Sequence, residues 1–559
     1  MKIVKVEIKN YRSIKHTVFY PTSFCVLIGE NNAGKSNILS AINKVLGSKW
    51  PTPQTFSDTD FYGMDKNNPI SISVWFNLSE DDEVYFSQRG LEGEIIGIRL
   101  QYPATEGTEL NWGKVEYCYI DKDGNKISRP YISKEDREKF SMIYIDVNRD
   151  LQSHLPTSQW TLLGRMLKDI NKELESDSKR RESFIKSIRG AMYFLRTEKF
   201  KKLEELIKFN ASKQLGIPKE DLEIKFQLHD PYNFYKTIQI FVKEDILPIR
   251  VATEMGLGAQ NAIVFSIFQA YAELGEKNII FAIEEPELFL HPHARRHFYK
   301  VLRELSGQNQ IFIATHSSFF VDLRNHRDIC IVRKLHGKGT LVYQSDYELT
   351  PYEKEKVIKE FDPERNELFF AKKILLVEGD TEKLSFPIFA EKMKIDLDQE
   401  GISIVETGGK KNLSFFAKII GSFEIPCLIV FDEDSSDFSK NEKDKESEFN
   451  KELLEISSKY PSLDSVMIPK NFDEFLKKHI GQERYEELCN KYPGYKGKPI
   501  KFKVISEELS IDEIPYLFKE ILTKLIVLTP ESILNKDLAE TQKSENEEEP
   551  YISEDDLPF

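Results

Sequence analysis

The chain has 559 residues, of which 40% are hydrophobic and 30% charged, and a formal net charge of −14. This length allows two to four domains that each bury a core, and the composition is that of a globular protein. We find no apolar run of the ~18–20 residues that a membrane span needs, no secretory leader, and five scattered cysteines without a CxxC pair. We therefore expect a cytoplasmic protein without a membrane anchor, a zinc site or a disulfide framework, in which any basic surface for nucleic acid is local.

The first 46 residues predict two strands, a loop and a helix. Polar and apolar residues alternate over 2–9, the run Phe24–Ile28 is apolar, and the spacing over 35–46 is helical. Residues 70–147 hold several short strand-like runs separated by turn residues.

The loop before that helix carries the first chemical motif, GxxxxGKS, over residues 29–36. Glycines let backbone N–H groups curl around phosphates, so Gly29 and Gly34, with Asn32 between them, would shape a phosphate cradle. In such a Walker A loop Lys35 reaches the β- and γ-phosphates and Ser36 binds Mg²⁺. Because the motif lies between a strand and a helix, it predicts an ATP site.

Residues 160–215 are helical in pattern and contain no proline. They carry fourteen Lys and Arg against eight Asp and Glu, a local charge of about +6. Two interpretations stay open. The segment is either a solvated helical hairpin or dimerisation arm, or a helix pair that faces DNA.

Beyond residue 246 the chain returns to α/β character. Two apolar strands, Ile279–Ile283 and Ile311–Ala314, flank a helix over 293–305. The first strand is followed by two carboxylates, which is the Walker B pattern. Glu284 stands where Asp is usual and would hold Mg²⁺ through water, and Glu285 would polarise the water that attacks the γ-phosphate.

Further features fit an ABC-type ATPase. The run Gly256–Gln260, with Gly258 at its centre, resembles the signature loop that binds the γ-phosphate from the opposite subunit. His316 follows an apolar strand as a switch histidine would, although a histidine there can also be structural. Arg12 lies either near the nucleotide or on the surface.

A second α/β unit carries two acidic strand ends. One apolar strand delivers Glu378, Gly379 permits a sharp turn, and Glu382 lies on the next helical turn. A later apolar strand ends in Asp432 and Asp434. In a parallel sheet these ends can lie side by side, where divalent cations would neutralise the four carboxylates. Oxygen ligands favour Mg²⁺ or Mn²⁺, and a pair of ions could clamp a phosphodiester displacement. Each half alone also fits a strand–turn or a solvated loop.

Together, in this order, the two halves resemble a Toprim domain, with the glycine turn over 407–412 between them. An ABC ATPase with a helical insertion followed by Toprim resembles the OLD (overcoming lysogenization defect) family, which includes the nuclease subunit of Gabija-type antiphage systems. The resemblance covers residues 1–535. It implies an α/β fold with an ABC-type ATPase domain over 1–360, a helical or dimerisation insertion over approximately 155–245, and a Toprim nuclease domain over 367–535.

By this resemblance Glu378, Glu382, Asp432 and Asp434 are metal ligands and catalytic residues. Asp437 and Glu474 are weaker candidates for an outer carboxylate. The family also uses a late lysine near the scissile phosphate, for which Lys498 is the best match; Lys496 is close behind, and the segment also fits a plain surface loop.

The resemblance implies an ATP-binding, divalent-metal-dependent DNA endonuclease in antiphage defence or DNA repair. It further implies a UvrD-like helicase partner. The single Walker A loop and the single signature loop, which acts across a subunit interface, separately predict a homodimer or higher homo-oligomer. Two alternatives stay open, an ATP-driven DNA-binding or signalling protein with Toprim as a platform, and a ribonuclease. The four intact acidic positions argue against a Toprim domain that serves only as a platform.

The segment 538–559 is acidic and poor in apolar residues, which predicts a disordered tail. Its end, Ser553–Phe559, resembles the tip of bacterial single-stranded-DNA-binding proteins, where acidic residues precede Pro-Phe. We expect it to dock on proteins that read that tip, or on a basic surface of this same protein. The alternative is a solubilising tail that happens to end in phenylalanine.

Overall fold

The computed structural model describes residues 1–107, 109–140, 142–147, 161–224, 231–243, 249–274, 278–288, 290–361, 365–434, 440–491 and 497–528. The chain forms two compact units. Unit 1 comprises Met1–Val45, Lys49–Asp136 and the chain from Phe312 onward, and unit 2 comprises Leu46–Ser48 and Arg137–Ile311. Within the described ranges, every helix is too short or too polar to cross a lipid bilayer.

The strands of the described residues are, in chain order, β1 (Lys2–Tyr11), β2 (Ile14–Phe19), β3 (Phe24–Ile28), β4 (Ile70–Asn77), β5 (Ile95–Tyr102), β6 (Ala104–Glu106), β7 (Glu109–Asn111), β8 (Glu116–Ile120), β9 (Lys126–Ile127), β10 (Met142–Ile145), β11 (Phe241–Val242), β12 (Arg250–Val251), β13 (Ile280–Glu284), β14 (Gln310–Thr315), β15 (Ile329–Leu335), β16 (Gly339–Gln344), β17 (Lys373–Val377), β18 (Ile402–Glu406), β19 (Cys427–Asp432) and β20 (Leu463–Ile468).

The α-helices of the same residues are α1 (Lys35–Leu46), α2 (Glu80–Ser87), α3 (Lys134–Phe140), α4 (Leu162–Ser176), α5 (Ser178–Leu195), α6 (Glu198–Leu215), α7 (Tyr232–Tyr235), α8 (Leu257–Glu273), α9 (Pro292–Leu305), α10 (Pro351–Glu360), α11 (Asp380–Lys392), α12 (Lys410–Ser422), α13 (Lys440–Lys459), α14 (Phe472–Ile480), α15 (Gln482–Lys491), α16 (Lys498–Glu508) and α17 (Tyr516–Val527).

Unit 1 begins with a mixed sheet in the strand order β14, β3, β15, β16, β2, β1, β4, β5, β8, β9, where β14 counts from Phe312. β3 runs parallel to β15, and the pairs from β15–β16 to β8–β9 are antiparallel. All five residues of β3 are buried, because both of its faces are covered, and this explains its unbroken apolar sequence. The predicted bounds of β3 and α1 are confirmed, and the GxxxxGKS loop connects the two.

The later part of unit 1 forms a separate parallel sheet in the order β18, β17, β19, β20. β17 and β19 are direct neighbours, with Ile374 paired to Cys427 and Leu376 to Ile429. α11 packs against α16 and α17. These three helices and the start of α14 share a buried aromatic core made of Phe386, Phe389, Phe472, Phe502 and Phe518.

In unit 2, β10 and β13 form a parallel pair, and α8 packs on α9 through Phe265 and Phe298. The predicted helical segment over 160–215 is confirmed as α4, α5 and α6. Large apolar side chains stand exposed on α5 and α6, among them Phe194, Leu203, Leu206 and Phe209. The predicted strand Ile279–Ile283 is shifted by one residue, so that Glu284 is the last residue of β13 and is itself buried.

Candidate functional site

The GxxxxGKS loop folds so tightly that two of its glycines have no room for a side chain. Gly29 has φ +147°, and a Cβ there would lie 2.2 Å from the carbonyl oxygen of Val332. Gly34 has φ +112°, and its Cβ would lie 2.3 Å from Oγ1 of Thr340. Thr340 also donates to the carbonyl oxygen of Ala33 at 2.8 Å. The loop is therefore held in one shape by the strands behind it, with α1 beginning directly after it.

Lys35 lies at the centre of this loop and is buried. Its Nζ donates to the carbonyl oxygens of Gly29 at 2.9 Å and Glu30 at 3.0 Å, and it lies 2.7 Å from Nε2 of His316. The sequence predicted both Lys35 and His316 as nucleotide ligands. The fold brings them together although 281 positions separate them, because β14 ends beside the loop that follows β3.

The other predicted residues of this loop are at its surface. Asn32, with φ +65°, and Ser36 are both exposed. Arg12 pairs with Asp60 at 2.9 Å and reaches Oδ1 of Asn37 on α1 at 3.5 Å. Arg12 is thus an exposed residue that also contacts the first turn of α1, and both sequence interpretations stay open.

Unit 2 carries the remaining residues of the predicted ATP site. The carboxylate of Glu284 accepts a hydrogen bond from the hydroxyl of Tyr144 at 2.8 Å. Glu285, the next residue, has φ +43° and leaves the strand direction. Gly258 lies in the first turn of α8, where a Cβ would meet open space. The amide of Gln260 binds the carbonyl oxygens of Thr253 at 3.1 Å and Met255 at 2.8 Å, which anchors the turn before α8.

A group of three carboxylates, Glu378, Asp432 and Asp434, lies at the carboxyl ends of β17 and β19 and is called the acidic cluster below. Oε1 of Glu378 accepts the backbone N–H of Asp432 at 2.8 Å. The carbonyl oxygen of Glu378 accepts the N–H of Gly409 at 2.7 Å, which joins the predicted glycine turn to this strand end. Oδ1 of Asp432 accepts the N–H of Phe472, at the start of α14, at 3.0 Å. Ligand atoms of Glu378, Asp432 and Asp434 all lie within 4.8 Å of one another.

The carboxylates of this cluster are crowded together and half-buried. Burial raises the pKa of Asp432 to about 9, and the nearby carboxylates of Glu378, Glu382 and Asp434 add to the effect. Burial also raises the pKa of Glu378 to about 7, although the N–H of Asp432 and the ammonium of Lys410 act in the opposite direction. Positive charge close to such a cluster stabilises its carboxylates in the ionised form.

Glu382 and Lys498 lie at the border of this cluster. Oε2 of Glu382 accepts the N–H of Gly379 at 3.2 Å, and burial raises its pKa. Lys498, the first residue of α16, pairs with Asp473 at 2.6 Å. Burial lowers the pKa of Lys498, but Asp473, Glu382 and Asp432 outweigh it and raise the pKa above its ordinary value. The packing of α16 on α11 brings this late lysine to the acidic cluster.

Two residues of this region were not predicted from the sequence. Asp473 faces Lys498 and Glu382, whereas the neighbouring candidate Glu474 instead pairs with Lys470 at 3.0 Å. The acidic pair that follows Asn471 could have been noticed, but not which carboxylate faces inward. Lys410 belongs to the glycine turn and lies 3.6 Å from Oδ2 of Asp434. Asp437 and Lys496 lie outside the described residues.

The donor set fits a divalent cation. Mg²⁺ and Mn²⁺ prefer oxygen ligands, and three carboxylates whose ligand atoms lie within 4.8 Å can contribute to one coordination sphere. The described cluster contains neither thiol nor imidazole ligands, which zinc would favour. The chemistry of the donors therefore agrees with the cation type that the sequence predicted.

Comparison with known proteins places these sites in a family. An AAA domain model, described as a putative AbiEii toxin of a type IV toxin–antitoxin system, matches residues 24–322. The TOPRIM domain model of overcoming lysogenization defect protein-like chains matches residues 369–434. The predicted order of an ABC-type ATPase fold followed by a Toprim domain is thereby confirmed. Domains of these two kinds generally use a nucleotide and a divalent metal.

Relatives match over most of the chain. The OLD nuclease of Thermus scotoductus is 31% identical over 447 residues, which are 77% of this chain and 81% of the relative. The Old nuclease of Escherichia phage P2 is 26% identical and covers 77% of each chain. The endonuclease GajA of Bacillus cereus is 24% identical over 548 residues, which are 92% of this chain and 89% of the relative. The chain therefore belongs to the OLD nuclease family and is a nuclease.

Proposed function

We propose that the chain is an ATP-binding DNA endonuclease that requires Mg²⁺ or Mn²⁺ and acts in the cytoplasm, in antiphage defence or DNA repair. The observation that carries the proposal is the meeting of Glu378, Asp432 and Asp434 at the ends of two adjacent parallel strands. The names of the relatives, OLD nuclease and endonuclease GajA, support it. For the domains we retain an ATPase domain over 1–360, its insertion over about 155–245, and a Toprim domain over 367–535.

In this proposal Glu378, Asp432 and Asp434 hold the cation. Glu382, which the sequence predicted as a fourth ligand, lies outside the group of three whose ligand atoms are within 4.8 Å of one another, and we assign it with Asp473 as an outer carboxylate. When bound, a divalent cation supplies a Lewis acid that activates water and stabilises charge on the phosphate. The protein's part is to fix the oxygens. The N–H of Phe472 holds Asp432, and the N–H of Gly379 holds Glu382. Lys498 brings a positive charge to the edge of the cluster, where the phosphodiester would lie.

For ATP we propose that Gly29, Asn32, Gly34, Lys35 and Ser36 bind the phosphates, with Mg²⁺ on Ser36. The position of Lys35 beside His316 supports a role for both at the γ-phosphate. Glu284 would hold Mg²⁺ through water, and Glu285 would polarise the water that attacks the γ-phosphate. Gly258 would complete the site of another subunit, because a signature loop acts across an interface.

The proposal is tested by parallel cleavage assays on DNA and RNA. Each substrate is incubated with Mg²⁺, with Mn²⁺ and with EDTA, with and without ATP. We expect cleavage of DNA that needs either cation and stops in EDTA. Preferential cleavage of RNA would instead establish a ribonuclease. Binding of DNA without cleavage under every condition would favour an ATP-driven DNA-binding or signalling protein that uses Toprim as a platform.

We expect a homodimer or a higher homo-oligomer. The chain has one Walker A loop and one signature loop, and exposed apolar residues on α5 and α6 offer area for a second copy. The measurement is light scattering at micromolar concentration, with and without ATP. Leu206→Glu, at a position 51% exposed on α6, should weaken association at least about tenfold, whereas Leu454→Glu, at a position 47% exposed on α13, should not. A monomeric wild-type protein under both conditions would refute the expectation.

The partner proposals rest on resemblance and on the C-terminal segment. Resemblance to the family implies a UvrD-like helicase partner. The tail 538–559 lies outside the described residues, and its docking on proteins that read the single-stranded-DNA-binding tip stays a prediction. Phe559 can bury its ring in a pocket while its α-carboxylate pairs with an arginine.

Deletion of Pro558 and Phe559 tests the tail. We expect binding to a tip-reading helicase or primosome protein to fall at least about tenfold, because the ring and the terminal carboxylate are lost together. Nuclease activity on naked DNA should persist, and Ser553→Ala serves as the control. If the shortened protein captures the same partners equally well, the docking idea is wrong. A rise in its activity on naked DNA would instead support docking on the nuclease itself.

A further inference from the structure

Lys410 is a buried lysine inside the acidic cluster. It is the first residue of α12 and follows Gly409, whose φ of +120° turns the chain toward the end of β17. Its side chain is only 7% exposed. The ammonium donates to the carbonyl oxygen of Asp432 and lies 3.6 Å from Oδ2 of Asp434. The ring of Phe431 lies 5.8 Å away. Lys410 is therefore enclosed by the same strand end that supplies two of the clustered carboxylates.

A lysine is almost never this buried unless negative charge accompanies it. The carboxylate paired with Lys410 belongs to Asp434, which the proposed function assigns to cation binding. Once Asp434 shares its oxygens with a cation, less negative charge is left for the ammonium. The contact with the carbonyl oxygen of Asp432 still holds Lys410 in place. With the cation bound, the ammonium of Lys410 therefore favours the binding of an additional anion beside the cation.

We propose that Lys410 is a ligand of the scissile phosphodiester, paired with Asp434 in the metal-free protein and available to a phosphate oxygen when the cation is bound. The inference rests on the proposed metal centre and adds a substrate contact to it. An ammonium is a compact point charge that suits a single phosphate oxygen. Metal therefore has to bind before DNA gains this contact.

Lys410 differs from the other nearby lysines because it is buried and paired with a proposed metal ligand. Lys498 pairs with Asp473 at the border of the cluster and is 59% exposed. Lys411, the next residue of α12, has the same charge but is exposed to solvent. An exposed lysine attracts DNA whether or not metal is present. Lys411 is thus a matched control for the charge, and only Lys410 should show a contribution that depends on metal.

The experiment compares Lys410→Met and Lys411→Met in the full-length protein. Mn²⁺ binding is followed by the electron paramagnetic resonance signal of the free ion. DNA affinity is measured by fluorescence anisotropy of a labelled duplex in Ca²⁺ and, separately, in EDTA. Methionine keeps the length of the side chain and removes its charge. Lys410→Arg keeps the charge, and Lys410→Gln replaces Lys410→Met if that variant does not fold.

We expect Lys410→Met to bind Mn²⁺ at least as tightly as the wild type, because a like charge has been removed. Its DNA affinity in Ca²⁺ should fall about tenfold or more, which corresponds to one charge-assisted hydrogen bond, with less than about twofold change in EDTA. Lys411→Met should change DNA affinity by the same factor in both conditions. Lys410→Arg should retain most of the gain in DNA affinity that Ca²⁺ gives the wild type.

Three results would overturn the inference. Weaker Mn²⁺ binding by Lys410→Met would show that Lys410 supports the metal ligands themselves. A loss of DNA affinity that is equal in Ca²⁺ and EDTA, or no loss, would show that Lys410 makes no contact with the phosphate that depends on the bound cation. In both cases the wild-type protein still binds Mn²⁺ and the proposed metal centre stands. If the wild type binds no Mn²⁺, the metal centre fails and the inference fails with it.

Discussion

Asp432→Ala is expected to lower the rate of DNA cleavage at least about a thousandfold and to leave ATP binding unchanged. The carboxylate of Asp432 lies within 4.8 Å of those of Glu378 and Asp434, and it is oriented by the N–H of Phe472. Without it, two carboxylates remain at the centre, too few oxygens to fix a cation and the water it activates. The measurements are single-turnover cleavage of labelled DNA and binding of a fluorescent ATP analogue.

Asp380→Ala is the matched control for this prediction. Asp380 lies between Glu378 and Glu382 in sequence, but its side chain is exposed at the start of α11. The control removes the same group from the same region and should cleave DNA within about twofold of the wild-type rate. If Asp432→Ala retained wild-type nicking, cleavage would have to occur elsewhere in the chain.

The centre of the acidic cluster could be predicted from the sequence because its geometry is local. Glu378 and Asp432 each follow a short apolar strand, and parallel neighbouring strands end at the same edge of a sheet. The structure confirms that β17 and β19 are neighbours. Nearly all residues of these two strands are buried, which explains the apolar runs Ile374–Val377 and Cys427–Phe431.

The border of the cluster could not be predicted in the same way. Lys498 reaches it only because α16 packs on α11 through an aromatic core, and that packing joins residues more than a hundred positions apart. Asp473 faces the cluster, and Glu474 does not, because of the direction in which α14 starts. A motif gives the residue types, but the choice between two adjacent carboxylates depends on helix orientation.

In the nucleotide loop, too, the sequence predicts some features and leaves others open. The bounds of β3 and α1 follow from periodicity and from the glycines between them. The sequence does not reveal that Thr340, from a distant strand, supports the loop and leaves no space for a side chain at Gly34. It also does not reveal Tyr144 as the hydrogen-bond donor to Glu284. Both contacts depend on strand order, which a single sequence leaves open.

Lys35→Ala is expected to weaken ATP binding at least about a hundredfold, since the ammonium can give the polyphosphate two charge-assisted hydrogen bonds. In the structure its Nζ is bound to the carbonyl oxygens of Gly29 and Glu30 and lies beside His316. The loop therefore places a buried positive charge at the start of α1, where the helix also favours an anion. Isothermal titration with ATP and Mg²⁺ measures the loss.

The acidic cluster should be unaffected by this substitution, because Lys35 is not among its residues. We expect Lys35→Ala to bind Mn²⁺ in the absence of ATP within about twofold of the wild-type affinity, a change well below one hydrogen bond. Lys15→Ala, which removes an exposed lysine from β2, controls for the loss of one charge. If Lys35→Ala bound ATP as tightly as Lys15→Ala, the GxxxxGKS loop would not be the nucleotide site. A parallel loss of Mn²⁺ binding would mean that the substitution disturbs the fold of unit 1, because the loop and the acidic cluster would then have failed together.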